Sequence, residues 1–434
     1  MRAYEIIFKK RWGKDLSSSE IDFMVNQFVK GLIPNYQMSA FLMAIAINGM
    51  NIDETISLTK SFVYSGDIID LSSIPGIKVD KHSSGGVGDT TTLIVAPIVA
   101  VAGIPVAKMS GRGLGHSGGT IDKLESIPGF NTKISEEDFI KQVKDIKVAI
   151  AGKIGNVVPA DKLIYALRDV TATVDSLPLI ASSIMSKKIA GGSDAIVLDV
   201  KVGSGAFIDD ENEAEKLAKI MVDIGKGFGK KMKAVITDMS QPLGNAIGNS
   251  LEVEEAIKVL KGNGKPDLRE VCTNIASNML LLGEKVNDIK KGIELVEEIL
   301  TSGIGLQKFK QFVSYQGGNS NITEDISLLP RAKYKDKLIA DSNGFIKKID
   351  CKKIGIASII LGAGREKKED VIDYSVGIVM KKRIGNEVRK KEEICTIYAN
   401  DFTKIEEAKK ILKKSIEISK KRVSPPVLIK KIID

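Results

Sequence analysis

Between Ile77 and Ser126 the chain twice runs from a short strand-like segment through a glycine-rich turn into a helix-like segment, and this repetition constrains the fold more than any other feature. The first turn is KHSSGGVGDTTT, Lys81 to Thr92, and the second is SGRGLGHSGGT, Ser110 to Thr120. The strands expected to feed them are Ile77 to Asp80 and Pro105 to Met109, and the helix between them is Thr90 to Ala102. A third strand candidate, Lys147 to Ala151, again ends in a glycine turn, GKIGN. Strand, turn and crossover helix in succession read as a mostly parallel sheet covered by helices. The protein's two histidines, His82 and His116, fall one in each turn, which marks this stretch as a candidate site.

The flanking segments have a different period. Ser17 to Glu20 has the form of a helix start and is followed by Ile21, Val25, Phe28, Val29 and Leu32 at helical spacing, before Gly31 and Pro34 break the pattern. Two more helices are expected at Ser39 to Ile47 and from Asp53 to just before Gly66, and helical character returns between Pro159 and Ala190. Strands resume at Ala195 to Val202 and Ala234 to Asp238, then helices from Leu251 to Tyr315. The expected fold is therefore α/β plus all-α. A small discontinuous helical domain (1–66 and 156–192) packs on a larger α/β domain with a mostly parallel sheet (67–155 and 193–339). The chain would cross between them at the glycine-bearing segments 66–74, 152–156 and 191–193. Residues 340–434 form a small β-rich α+β region, with strands near 344–349, 374–380 and 394–398 and a charged helix from Thr403 to Ser419.

Composition excludes several classes. At 434 residues and 43% hydrophobic content the chain can bury a sizeable core in two or three domains. Its longest apolar run, Leu93 to Ile104, contains a proline and stops short of the roughly 20 residues a spanning helix needs. No signal-peptide pattern opens the chain, so a cytoplasmic protein with reduced cysteines (Cys272, Cys351, Cys395) and no membrane partner is expected. The net charge of +9 comes from lysines interleaved with acids, and only 5% of residues are aromatic, so no nucleic-acid partner is expected.

The first turn has the chemistry of an oxyanion site. Gly85, Gly86 and Gly88 lack a Cβ and let backbone N–H groups approach an anion. Lys81 adds charge, Ser83, Ser84 and Thr92 add hydroxyls, and the following helix adds its N-terminus. In the second turn Gly113 to Gly118 satisfies GxGxxG, but the acids that follow, Glu136 and Glu137, stand at a helix start rather than ending a strand, which disfavours a dinucleotide. Ser110 and Thr120 bracket that turn. A third set is Arg168, Ser183 and Lys187: Ser183 and Lys187 share a helix face, and Arg168 offers a planar fork. Taken alone, each of these reads as a surface or salt-bridge residue.

KHSSGGVGD, SGRGLGHSGGT, YALRDVTATVDSLPLIASSIMSKK and DAIVLDVKVGSGAF, in this order, resemble the thymidine and pyrimidine-nucleoside phosphorylase family across essentially the full chain. The resemblance implies reversible phosphorolysis: a pyrimidine nucleoside (uridine, thymidine or deoxyuridine) and phosphate give free base and pentose 1-phosphate. It implies a phosphate site at Lys81, Ser83, Ser110 and Thr120 supported by Gly85 and Thr92, and a pyrimidine site at His82, Arg168, Ser183 and Lys187 walled by Leu114, Val174, Ile180 and Phe207. His82, Arg168 and Lys187 would be catalytic, while His116 would shape its turn. It further implies a homodimer through the helical domain, domain closure over the substrates, and no cofactor required for chemistry. A cation such as potassium would lie near Gly88, Thr90, Leu243, Ala246 and Glu255. Ser84 and Ser117 stand where many members carry threonine, and Lys153 where glutamine is usual. The competing readings are a phosphoribosyltransferase of the anthranilate type, for which no acidic pair placed to hold magnesium is evident, and a non-catalytic nucleoside-binding protein.

Overall fold

The computed structural model describes every residue except Leu114, Ser117 and Lys368. The chain opens with α1 (Ala3–Arg11), α2 (Ser18–Val29), α3 (Asn35–Asn48) and α4 (Ile52–Val63). It continues through β1 (Val79–Ser83), α5 (Thr91–Val101), β2 (Val106–Met109), α6 (Thr120–Glu125), α7 (Glu136–Ile146) and β3 (Val148–Ala151). Two further helices, α8 (Pro159–Arg168) and α9 (Leu177–Ala190), precede β4 (Ala195–Val202), α10 (Glu211–Gly227), β5 (Lys231–Asp238) and β6 (Ala246–Ile247). Then come α11 (Asn249–Leu260), α12 (Pro266–Leu282), α13 (Ile289–Ser302) and α14 (Ile304–Tyr315). The remainder holds β7 (Tyr334–Ile339), β8 (Gly344–Ile349), α15 (Cys351–Leu361), β9 (Gly377–Met380), β10 (Glu387–Val388), β11 (Glu393–Ala399), α16 (Phe402–Ser415), β12 (Ile416–Ser419) and β13 (Ile429–Ile433).

The helical layer begins as its sequence dictates. Ser17 and Glu20 close a reciprocal cap on α2, and Asn51 and Glu54 do the same on α4, so the otherwise orphaned N–H groups of both first turns are satisfied. Glu54 also takes the buried ammonium of Lys10 at 2.8 Å, tying α1 to α4. Ile21, Met24, Phe41 and Phe62 of the opening helices share one core with Ile164, Leu179 and Met185 of α8 and α9. The two helical stretches therefore pack on one another, in a core that β4, β5 and α10 also enter.

The main sheet runs β1, β4, β5, β13, parallel except for the last strand, with the parallel pair β2 and β3 beside β1 through the Val79 N–H on the Pro105 carbonyl (3.1 Å). Along β4, Ile196, Leu198 and Val200 enter the helical-domain core, while Ala195 and Val197 enter a second core formed with α5, α11 and α12. Burial on both faces explains why AIVLDVKV is a continuous apolar run, interrupted only by Asp199 and Lys201.

Three expectations need correction. The first strand does not stop at Asp80 but continues the parallel ladder through Lys81, His82 and Ser83, opposite Val197, Leu198 and Asp199, so His82 is a strand residue and not a turn residue. The C-terminal helix stops at Ser415, because Ile416 and Ile418 alternate at strand period and pair with β8. Leu32 lies beyond α2 and is 69% exposed, rather than continuing its apolar face. The C-terminal region is antiparallel, with sheets β6-β9-β11-β7 and β10-β8-β12.

Candidate active site

The carboxyl end of β1 and the turn after it form a buried network of alternating charge. Lys81 Nζ lies 3.1 Å from Asp199 and 3.9 Å from Asp89 and donates to Thr91 Oγ1. Burial works against its charge, but Asp89 and Asp199 outweigh it and hold the lysine pKa above its ordinary value. Asp89 accepts from the Ser83 hydroxyl and, at 3.2 and 2.6 Å, from the N–H and hydroxyl of Thr91. Burial would raise the Asp89 carboxyl, yet Lys81, Lys201 and Lys123 keep it well below the usual carboxylate range. The Gly85 N–H donates to Ser83 Oγ at 3.3 Å. Asp199 takes the Thr237 hydroxyl at 2.6 Å and pairs with Lys201 at 2.9 Å. Thr92 is buried in the first turn of α5, Ser110 extends β2 with its N–H on Ala151 (2.9 Å), and Thr120 opens α6. Among the described residues no hydrogen bond joins these last three side chains to the Lys81 cluster.

His82 presents a buried Nε2 without a hydrogen-bond partner among the described residues. Burial, then the nearby ammonium groups of Lys188, Lys108, Lys81 and Lys187, push its pKa well below the ordinary histidine value, so the ring is neutral at pH 7. Lys187 itself donates to Ser183 Oγ at 3.1 Å and pairs at 2.6 Å with Asp161 of α8, a fully buried carboxylate. Arg168 ends α8 and is 1% exposed. Its Nε, Nη1 and Nη2 donate to the carbonyls of Thr173 (3.2 Å), Leu179 (3.1 Å) and Val174 (2.8 Å), which commits three of its five N–H groups. The Val174 carbonyl is thus taken by Arg168, and Ile180 is half-buried on α9. Phe207 is exposed, with its ring 5.5 Å from that of His116, whose Nε2 lies 3.1 Å from the Gly205 carbonyl oxygen. His116 therefore joins the second turn to the segment after β4. Leu114 and Ser117 lie outside the described residues.

Four of the five cation candidates converge. Gly88 has φ +71, and a Cβ there would lie 2.9 Å from the Ala246 carbonyl oxygen and 3.1 Å from that of Leu243, so glycine is required for the approach. Glu255 accepts the N–H groups of Asn245 (2.7 Å) and Ala246 (3.1 Å), and burial nevertheless pushes its pKa up to about 7. Thr90 differs: its hydroxyl is given to Glu252 at 3.0 Å. Two carbonyls beside a carboxylate with raised proton affinity form an all-oxygen donor set suited to a hard cation. Among the described residues no group of three His, Cys, Asp or Glu side chains is arranged to hold a metal.

Sequence reasoning missed the acidic partners Asp80, Asp89, Asp161 and Asp199 and the buried lysines Lys108, Lys188 and Lys201. The available signal was charge inside apolar strands: Asp199 and Lys201 share a face with Val197 at period two.

Comparison with known proteins is consistent along the whole chain. Residues 76–306 match the glycosyl transferase family a/b domain, residues 4–66 its helical bundle domain, and residues 345–419 the pyrimidine nucleoside phosphorylase C-terminal domain. The chain is similar to the pyrimidine-nucleoside phosphorylase of Geobacillus stearothermophilus, 54% identical over 99% of both chains. It is also similar to that of Staphylococcus epidermidis, 55% identical over 100% of both, and that of Bacillus subtilis, 54% identical over 92% of both. Among solved structures, anthranilate phosphoribosyltransferase from Thermus thermophilus aligns with a TM-score of 0.58 at 16% identity, covering 72% of this chain and 99% of that one, which is a likeness of fold.

Proposed function

The chain belongs to the pyrimidine-nucleoside phosphorylase family, and from that premise we propose that it cleaves pyrimidine nucleosides with inorganic phosphate, releasing free base and pentose 1-phosphate. The observation that carries this reading is the seam between β1 and α9. Asp80, the residue before Lys81, meets Lys188, the residue after Lys187, at 2.8 Å, so an anion-binding strand and a donor-bearing helix lie side by side. Phosphate binds at Lys81, Ser83 and Gly85 with Thr92, Ser110 and Thr120, and exchanges places with the contacts Asp89 makes to the first two. The pyrimidine binds at Ser183, Lys187 and the two uncommitted N–H groups of Arg168, with Val174, Ile180, Phe207 and Leu114 around it.

Breaking the N-glycosidic bond builds positive charge on the pentose and negative charge on the base. Arg168 and Lys187 are fixed donors aimed at the departing anion, and their fixed placement means that little reorganisation accompanies the reaction. Neutral His82 adds a hydrogen bond at the base without adding a competing cation beside the oxocarbenium-like sugar. The phosphate dianion held by Lys81 is at once the nucleophile and the counter-charge, and fixing both substrates supplies much of the remaining rate.

A cation held by Gly88, Leu243, Ala246 and Glu255 would brace the far end of the first turn. The exposed apolar side chains Tyr4 and Phe8 of α1 and Trp12 at its C-terminal cap, with Leu32, Tyr36 and Ile47, support a homodimer formed through the helical domain. No helix among the described residues is long and apolar enough to cross a membrane, and three buried free cysteines support a reducing, cytoplasmic setting.

Assaying uridine cleavage in the parent, Lys81→Ala and Lys187→Ala tests this reading. Lys81→Ala is expected to raise the KM for phosphate, and Lys187→Ala to lower kcat with the phosphate KM little changed. An inactive parent, or the reverse pattern in the variants, overturns it.

A further inference from the structure

At the seam between the two proposed subsites lies a buried charged cluster. Lys188 of α9 pairs with Asp80 of β1 at 2.8 Å and donates to the Met109 carbonyl at 3.2 Å. Lys108 of β2 lies 3.5 Å from the other Asp80 oxygen and donates to the Lys81 carbonyl. The Lys188, Asp80 and Lys108 side chains are only 9%, 4% and 5% exposed. A buried ion pair is a poor stabiliser compared with apolar packing of equal volume, so its presence asks for a role other than stability. The cluster also stands where the chain crosses between domains. The Ile69 N–H donates to the Ala190 carbonyl at 2.9 Å, and Gly192, at φ +82, approaches the Ile69 carbonyl so closely that a Cβ would lie 2.3 Å from it.

We propose that Asp80 and Lys188 are positioning residues, a pin that holds the base-side helix α9 in register with the phosphate-side strand β1. The proposal rests on the phosphorolysis reading for its kinetic consequences, but not for its electrostatic ones. Lys188 and Lys187 act on His82 from α9, Lys108 from β2 and Lys81 from its own strand, and Asp80 stands two residues before it on the same strand face. Lys188 and Lys108 share one carboxylate there, burial pushes the Lys108 pKa down to about 7, and after burial the charge of Lys188 is the largest influence holding the imidazole neutral. Removing the Lys188 ammonium therefore does two separable things. It frees α9 to shift against β1, and it removes one of the charges that, after burial, depress the His82 pKa.

The test compares parent, Lys188→Met and Lys188→Arg in the full chain. Calorimetry gives separate affinities for inorganic phosphate and for uracil, steady-state assays give kcat, and NMR follows imidazole titration, which is tractable because His82 and His116 are the only two histidines. Lys188→Met is expected to lose about 100-fold in kcat while each single-ligand affinity stays within about threefold, since a small misplacement costs rate more than binding. Its His82 titration is expected to move up by about one unit. Lys188→Arg should recover most of kcat. The pin is overturned if Lys188→Met keeps kcat within about threefold of the parent, if its loss is a parallel loss of both affinities that arginine does not restore, or if the His82 titration is unmoved. Should Lys188→Met fail to fold, Asp80→Asn, which keeps shape and an acceptor, takes its place with the same kinetic criteria and a His82 titration moved down rather than up. A parent that binds neither phosphate nor uracil would sink the functional reading, and the His82 titration would then decide the pin.

Discussion

Arg168 gives three N–H groups to the carbonyls of Thr173, Val174 and Leu179, so its two proposed duties, holding the 169–176 loop and meeting the base, draw on different atoms. Arg168→Lys keeps the charge but not the fork, leaving buried carbonyls unsatisfied at about 1–3 kcal/mol each. It should therefore lower both Tm and kcat, and a calorimetric scan beside a uridine assay checks this. A variant with unchanged Tm and reduced kcat would show that the loop does not depend on those bonds. Asp89 makes a sign-defined prediction. Its folded-state pKa is depressed, so the stability it contributes is present above the unfolded carboxylate value of about 4 and is lost as pH falls through the lower folded value. The Tm gap between parent and Asp89→Asn should accordingly be widest near pH 7 and narrow on acidification below about pH 4. A gap that is constant with pH would contradict the ion-pair account.

Some elements were legible from sequence and others were not, for physical reasons that differ. The Ser17/Glu20 cap, the Ser183/Lys187 pairing on α9 and the β4 run depend on local periodicity or on burial of a whole segment, and both leave a pattern in the residues. The extent of β1 did not, because Lys81, His82 and Ser83 look like turn residues until pairing with Val197, Leu198 and Asp199 extends the strand. The break between α16 and β12 was hidden by a lysine-rich stretch whose period changes only at Ile416. In the site, the glycine turns and basic donors stand in recognisable motifs, whereas their carboxylate partners Asp161 and Asp199 come from other segments and are joined only by the fold. At this scale Gly192→Ala is expected to be costly. It places a Cβ at φ +82 against the Ile69 carbonyl, a left-handed conformation alone costing about 1–2 kcal/mol for a non-glycine residue. A drop in Tm together with a drop in kcat would place strain at the crossing next to α9, while an unchanged Tm would contradict the close approach.

In the whole molecule, one face of the main sheet packs with the opening helices, α8, α9 and α10 and the other with α5, α11 and α12, so α8, α9 and the turn after β1 share one scaffold. The exposed aromatic ladder of Tyr4, Phe8 and Trp12 is the surface feature this scaffold leaves uncovered along α1 and its C-terminal cap. Phe8→Glu combined with Trp12→Glu should convert a dimeric parent into a monomer by sedimentation, and a parent that is already monomeric would refute the dimer assignment. Within this scaffold the proposal is that Lys81 at the end of β1, the turn after it and the α8–α9 donors act together on one glycosidic bond. It is tested most directly by following base release from uridine and thymidine with and without inorganic phosphate. Strict dependence on phosphate, with one pentose 1-phosphate formed for each base released, is the predicted result. Release of base without phosphate, or no release from either nucleoside when phosphate is present, would contradict it.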